Sequence, residues 1–149
     1  MVLVVFDNST TAMTGHQPHP GTGRTVMGEI VQKINIEQVL RGIGVTEIET
    51  INPLELEASV SCVKRMAEKS GVRAIIFKAP CIAVTKPKAP LHVNQDSCIG
   101  CKKCIRDLGC PAIVMNDEKI CIDASMCTGC HLCSQVCPVC AIAGGDDHE

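Results

Sequence analysis

The sequence predicts two joined folds: a parallel α/β layer over residues 1–84 and a small α+β module over residues 91–149, with a linker at residues 85–90. Two observations carry this. The first half alternates apolar strand patterns with an amphipathic helical pattern, and the second half holds two cysteine runs that repeat at a fixed offset. Strand, helix, strand in that order closes as a parallel layer, because a short crossover returns the chain to the same end of the sheet.

Taken in order, Val2–Phe6 is a continuous apolar run ending in Asp7-Asn8, the pattern of a strand buried on both faces that opens into a functional loop. Residues Asn8–Gly28, rich in Gly, Pro, Thr and His, predict a long irregular loop, and such loops inside compact domains are usually functional. Asn35 is placed to cap a short helix that runs to Arg41 and stops at Gly42, and Val45–Ile51 alternates as a strand does. From Pro53, the apolar residues Leu56, Val60, Val63 and Ala67 recur at helical spacing, and Gly71 stops that helix before the apolar strand Val72–Phe77. The stretch Thr85-Lys86-Pro87-Lys88-Ala89-Pro90 reads as extended linker, since each proline fixes its own backbone and turns the preceding residue away from helix. In the second half, Ala112–Met115 and Lys119–Ile122 flank Asn116-Asp117-Glu118 as a hairpin, and Leu91–Val93 is predicted to pair with Cys140–Ala143.

Composition narrows the chemistry. The 149 residues include twelve Cys and two Phe but no Trp or Tyr, so the aromatic platforms that stack bases are missing. With a formal charge of -2 there is no basic field for nucleic acid, and no apolar run approaches a bilayer-spanning length, so nucleic-acid and membrane partners are not expected. The first residues, Met1-Val2-Leu3-Val4-Val5-Phe6-Asp7, lack the basic start and cleavage site of an export signal. A cytoplasmic location with reduced thiols is therefore expected, and at this density such thiols point to metal rather than disulfides. Charge divides the halves as well: residues 1–90 carry ten Lys/Arg against eight Asp/Glu, and residues 91–149 carry four against eight.

The runs are Cys98-Ile-Gly-Cys101-Lys-Lys-Cys104 with Cys110-Pro111, and Cys127-Thr-Gly-Cys130-His-Leu-Cys133 with Cys137-Pro138. The first three cysteines repeat at an offset of 29 and the Cys-Pro pairs at 27, as in a duplicated unit. Three cysteines at C-x2-C-x2-C wrap three corners of an iron–sulfur cube, and in the bacterial two-cluster pattern the cysteine before proline serves the other cluster. Cluster I would take Cys98, Cys101, Cys104 and Cys137. Cluster II would take Cys127, Cys130, Cys133 and Cys110. A zinc ribbon would leave the third cysteine of each run and its Cys-Pro partner unused. The five residues between Cys104 and Cys110, against three between Cys133 and Cys137, mark a two-residue insertion that could alter the exposure of cluster II. So small an apolar core leaves much of the module's folding free energy to two [4Fe-4S] clusters, and iron removal is expected to unfold residues 91–149. Cys62, Cys81, Cys121 and Cys140 read as small buried hydrophobes, with Cys140 close enough in sequence to compete with Cys137. The acidic residues Asp96, Asp107, Asp117, Glu118 and Asp123 read as scattered surface charge rather than a docking face.

The stretch Asp7-Asn8-Ser9-Thr10-Thr11-Ala12-Met13-Thr14-Gly15-His16-Gln17-Pro18-His19-Pro20-Gly21 resembles the end of the thiamine diphosphate motif of 2-oxoacid:ferredoxin oxidoreductases. In order, the whole chain resembles the C-terminal part of the alpha subunits of the indolepyruvate ferredoxin oxidoreductase family. The implied fold is an α/β fragment of a thiamine diphosphate-binding domain followed by an α+β bacterial-type 2[4Fe-4S] ferredoxin-like domain. The resemblance places a side-chain ligand of Mg2+ on Asn8 and a backbone carbonyl ligand on Thr10, oxygen donors suited to a hard cation. It places the remaining carboxylate ligand upstream of Met1, so thiamine diphosphate and Mg2+ are expected only with a missing upstream half-domain. His16 and His19 are expected to border the cofactor pocket rather than bind metal. The implied activity is oxidative decarboxylation of an aryl 2-oxoacid such as indolepyruvate with coenzyme A as acyl acceptor, by a truncated subunit not active alone. Electrons would pass through the clusters to ferredoxin, and the partners would be a beta subunit and a polypeptide carrying the rest of the alpha subunit. The resemblance assigns no catalytic residue within the chain. The alternative is a stand-alone two-cluster ferredoxin-like electron carrier with an α/β appendage.

Overall fold

The structure, a computed structural model, describes residues 1–144, so the end of the module predicted over residues 91–149 lies outside the described residues. The chain divides into two compact units, Met1–Thr85 and a second that begins at Lys86. The Lys86–Pro90 stretch read as linker groups with the second unit, where the Lys88 N–H donates to the Thr128 carbonyl at 3.2 Å.

The first unit is built from β1 (Val2–Asp7), α1 (Ile36–Gly42), β2 (Glu47–Ile51), α2 (Leu56–Glu68) and β3 (Arg73–Lys78). The three strands form a parallel sheet in the order β1-β3-β2, with Val2 and Glu47 both opposite Arg73. Because side chains alternate along a strand, β3 feeds two cores. Ala74 and Ile76 pack with Leu40 of α1 and Val45, while Ile75 packs with Cys62 and Met66 of α2. Met66, Ile75 and Cys62 are fully buried, and a side chain of Met or Ile size contributes about 1.5–3 kcal/mol on burial.

Two expectations are corrected. β1 is an edge strand whose outward residues stay uncovered: Phe6 is 77% exposed and stacks on Phe77 with ring centroids 5.7 Å apart. The core beneath α2 includes β1 at Val2, while Phe6 borders an open groove shared with Val60 and Val63. The buried stripe of α2 is also not Leu56, Val60, Val63 and Ala67. It is Ser59, Cys62 and Met66, with Val60 and Val63 turned toward an open groove beside Phe6 and Phe77. The α1 cap is as the sequence predicts, the Asn35 side chain accepting from the Gln38 N–H at 3.1 Å. The C-terminus of α2 is capped from a distance: the buried Arg73 guanidinium donates to the carbonyls of Met66 at 2.9 Å, Ala67 at 3.2 Å and Gly71 at 2.6 Å. A cation there meets the negative end of the helix dipole and satisfies carbonyls the helix leaves open.

The second unit comprises β4 (His92–Val93), α3 (Lys103–Leu108), β5 (Ile113–Asn116), β6 (Lys119–Ile122), α4 (Leu132–Val136) and β7 (Ile142–Ala143). β5 and β6 form the predicted antiparallel hairpin, turning through Asp117 and Glu118 with φ of 45° and 66°. Positive φ at both turn residues gives the twist a two-residue hairpin needs. β4 pairs antiparallel with β7 as expected, His92 opposite Ala143. The small core consists of Leu91, Ala112, Ile113, Ile120, Val136, Ala141 and Ile142 with Cys104 and Cys133. Among the described residues no helix is long and apolar enough to cross a membrane.

Candidate functional site

Each cysteine run is introduced by the same local device. The Asn94 side chain accepts from the N–H groups of Asp96 and Ser97 while its carbonyl accepts from the Cys98 N–H at 3.0 Å. Twenty-nine residues on, the Asp123 side chain accepts from the Ser125 N–H at 2.8 Å, and its carbonyl accepts from the Cys127 N–H at 3.0 Å. The Ser125 hydroxyl and N–H hold the Asp123 carboxyl below its ordinary value. These Asx turns extend the repeat four residues ahead of the cysteines, a signal readable in the sequence by aligning residues 94 and 123. Inside the loops, Gly100 and Gly129 have φ of 65° and 67°, and Lys102 and His131 have φ of 59° and 61°. Left-handed backbone at both places reverses the chain within three residues and brings the cysteines to one side. The third cysteine of each run then lies in the first turn of α3 or α4, Cys104 and Cys133 each 7% exposed. The two-residue insertion is absorbed after the first run: α3 has six residues against five in α4, and it ends on Gly109 with φ of 57° before reaching Cys110.

The structure brings the cysteines of the first predicted group to one cavity. One cavity is lined by Cys98, Cys101, Cys104 and Cys137, with apolar walls that include Val93, Ile120 and Ile142. The Cys104 thiol is pushed up first by burial, with Cys101 and Cys137 adding to the rise through their charge. The Cys133 thiol is pushed up to about 11, again first by burial and then by Cys130, Cys127 and Cys110. Cys137, the Cys-Pro cysteine of the second run, thus lies at the cavity of the first. Backbone donors also reach sulfur: the Ala141 N–H lies 3.2 Å from Cys137 Sγ and the Leu91 N–H 3.5 Å from Cys127 Sγ. Among the described residues no three His, Cys, Asp or Glu converge as ligands of a single metal ion do. Sulfurs ringing a cavity with N–H groups aimed at them fit the larger, multi-iron group that thiolates hold.

The leftover cysteines differ in fate. Cys62 is fully buried, Cys81 and Cys121 are half-buried, and Cys140 is exposed with φ of 50°, which corrects its reading as a buried hydrophobe. Its N–H bonds to the Cys137 carbonyl in the turn that carries the chain on to β7. Cys62 sits beside the Glu49 carboxylate, and burial first, then Glu49, raises its thiol.

In the first unit, a cleft of about 480 Å3 opens at the C-terminal end of the sheet, where α/β folds hold their ligands. Its polar lining includes Asp7, Ser9, His19, Lys33 and Lys78. Asn8 and Thr10 lie beside it in a turn: Asn8 Oδ1 accepts from the Thr10 N–H at 3.2 Å, and the Asn8 carbonyl accepts from the Cys81 N–H at 2.9 Å. Ser9, with φ of 62°, makes that turn, and Asp7 Oδ1 accepts its N–H at 3.1 Å. The turn carries amide, carbonyl and carboxylate oxygens at the end of β1, the donor types that suit a hard divalent cation, and each of these oxygens also accepts a backbone N–H. His19 Nδ1 accepts from the Gly21 N–H at 3.1 Å and orders the loop, while His16 is exposed.

Residues 1–77 match the thiamine pyrophosphate enzyme C-terminal TPP-binding domain, and residues 90–138 match the 4Fe-4S dicluster domain. The chain is similar to "Indolepyruvate oxidoreductase subunit IorA" of Methanothermobacter thermautotrophicus, 43% identical with 95% of this chain and 23% of the relative covered. Proteins of the same name from Archaeoglobus fulgidus and Thermococcus kodakarensis are 39% and 40% identical, covering 92% and 93% of this chain and 23% of each relative. The chain thus spans about a quarter of the length of the curated relatives it matches. No solved structure matches. With its sheet-end cleft and its paired cysteine loops, the chain belongs to the thiamine pyrophosphate enzymes as a C-terminal TPP-binding domain, continued by a 4Fe-4S dicluster domain.

Proposed function

We propose that the chain is the electron-transfer portion of a 2-oxoacid:ferredoxin oxidoreductase acting on indolepyruvate or a related aryl pyruvate, and that it works with a beta subunit and the rest of the alpha subunit in the cytoplasm. The observation that carries this is the cavity in which Cys98, Cys101 and Cys104 of the first run meet Cys137 of the second. Cys98, Cys101, Cys104 and Cys137 hold one [4Fe-4S] cluster, and Cys127, Cys130, Cys133 and Cys110 hold the other. Thiamine diphosphate supplies the electron sink for decarboxylation when bound, and the clusters pass electrons on one at a time. The residues of the first unit bind and orient. Asn8 Oδ1 and the Thr10 carbonyl hold Mg2+, and Lys33 and Lys78, the latter paired with Asp7 at 3.8 Å, are the cations of the cleft that reach the diphosphate.

Calorimetry of thiamine diphosphate with Mg2+ tests this, on the chain alone and mixed with a polypeptide that carries the upstream half of the thiamine domain. Binding in the mixture that is abolished by Asn8→Ala is the expected result. Absence of binding in both samples, with the clusters intact by visible absorption, would replace this reading with that of an electron carrier bearing an α/β appendage.

A further inference from the structure

The two cysteine loops share one backbone, but only one of them is covered. A Cβ added to Gly129 would lie 2.7 Å from the Ala89 carbonyl oxygen and 2.7 Å from Lys88 Cβ, because the segment entering β4 lies across the second loop. The Leu91 N–H reaches Cys127 Sγ from the same segment. At Gly100, in the same conformation, an added Cβ would meet nothing within 4 Å. Ile99 is 66% exposed, and Cys101, Lys102 and Lys103 are exposed too, whereas their counterparts Cys130, His131 and Leu132 are half-buried.

Charge follows the same asymmetry. Applying the offset of 29, Lys102, Lys103 and Arg106 of the first copy correspond to His131, Leu132 and Gln135 of the second. Three cations thus border the open loop from within its own repeat, whereas the matching places at the covered loop hold no Lys or Arg and Lys88 reaches it only as part of the covering segment. Lys103 is paired with Asp107 at 2.6 Å, and Arg106 donates to the Cys101 carbonyl at 3.3 Å, so the guanidinium is held at the rim of the loop. Asp96 and Asp107 are the carboxylates nearby in sequence, and they leave the rim net positive within a unit that is otherwise acidic.

We infer that the open loop, Ile99–Lys102 with Arg106, is the docking face for a one-electron carrier protein with an acidic surface, and that electrons leave the chain through the cluster of Cys98, Cys101 and Cys104. In the step, one electron leaves the reduced cluster, which returns to its oxidised state, and enters the carrier's redox centre. No bond is made or broken and no proton moves. This rests on the reading of the second unit as an electron relay. An apolar residue at the centre of a cationic rim suits a brief encounter, since charge speeds and orients the approach while little area needs to be buried.

The test uses the full chain loaded with its clusters, reduced and mixed in stopped flow with three oxidants: an acidic plant-type ferredoxin, basic cytochrome c and a neutral quinone. The rate to ferredoxin should fall as salt rises from about 0.01 M to about 0.1 M, where the Debye length shrinks from about 30 Å to about 10 Å. Lys102→Glu/Arg106→Glu should slow it on the order of tenfold at low salt, leaving the quinone rate within about twofold. Added negative charge makes the nearby cluster a stronger reductant, so a slowing cannot come from driving force. Gln135→Glu, the matching change on α4, should leave the ferredoxin rate unchanged. A ferredoxin rate that is flat or rises with salt in the unaltered chain overturns the docking face, as does equal slowing by Gln135→Glu. Failure of the chain to take up clusters instead overturns the relay reading itself, so the two failures are told apart by visible absorption.

Discussion

Replacing Gly129 by Ala, with Gly100→Ala as its matched control, tests whether the segment around Lys88–Ala89 closes over the second loop. Both positions have φ within 2° of each other, 65° and 67°, so both substitutions carry the same left-handed strain of about 1–2 kcal/mol. Only Gly129 adds a clash, its new methyl lying 2.7 Å from the Ala89 carbonyl oxygen and from Lys88 Cβ. A backbone oxygen cannot swing aside as a side-chain tip can, and overpacking of this kind costs about 1–3 kcal/mol more. Gly100→Ala should therefore cost about 1–2 kcal/mol and Gly129→Ala about 2–5 kcal/mol. In a domain of this size each kcal/mol lowers the melting temperature by about 4–8 °C, so the second variant should bleach at least about 4 °C below the first. The assay is loss of visible cluster absorption on heating at one fixed rate, because cluster loss is irreversible and scan-rate dependent. Equal losses in the two variants, or a larger loss in Gly100→Ala, would refute the closure.

Arg73→Met should lower the stability of the first unit by at least about 2 kcal/mol, since it strips the carbonyls of Met66 and Ala67 of their donor at roughly 1–3 kcal/mol for each unsatisfied group, while the Gly71 carbonyl keeps the Met1 ammonium. Urea unfolding followed by far-ultraviolet circular dichroism reads it, and a midpoint equal to that of the unaltered chain would count against the cap. Cys137→Ala should halve the iron content, from about eight to about four per chain, while Cys140→Ala keeps it whole. Iron analysis giving the reverse pattern would make exposed Cys140 the ligand. Burial, aided by Glu49, holds the Cys62 thiol above its ordinary value of 9.0. The unfolded chain therefore loses that proton first as pH rises, and the stability Cys62 contributes is intact below about pH 9 and falls above it. The urea midpoint should drop more between pH 8 and pH 10 in the unaltered chain than in Cys62→Ala, and parallel drops would exclude the effect.

Much of the fold could be read without coordinates because its signals are local. The Asn35 cap, the strand–helix–strand order and the hairpin across Asp117-Glu118 each depend on residues a few positions apart, where propensity and hydrogen-bond reach decide the outcome. The face of α2 could not be read that way. Val60 and Val63 are as apolar as a buried stripe requires, yet Ser59, Cys62 and Met66 are the buried residues, because the direction from which the sheet approaches is set by strands β1, β2 and β3 together. Arg73 escaped for a similar reason: its partners lie six and seven residues back at the end of a helix, and nothing in the run Val72–Phe77 marks an arginine that turns inward.

The two cysteine runs and their duplication were legible in the sequence itself, since thiolate chemistry at a C-x2-C-x2-C spacing admits few other uses and a repeat offset is visible in one dimension. Tertiary structure alone decided how unlike the two copies are. Covering a loop takes a segment that arrives from elsewhere in the chain, and Lys88–Leu91 reaches the loop around Gly129 some forty residues later, while the loop around Gly100 is left open beneath Lys102 and Arg106. Spacing marks out the three cysteines of each run, because they lie within seven residues of one another. Exposure is decided by contacts between residues distant in sequence, and with it which of two near-identical sites meets a partner.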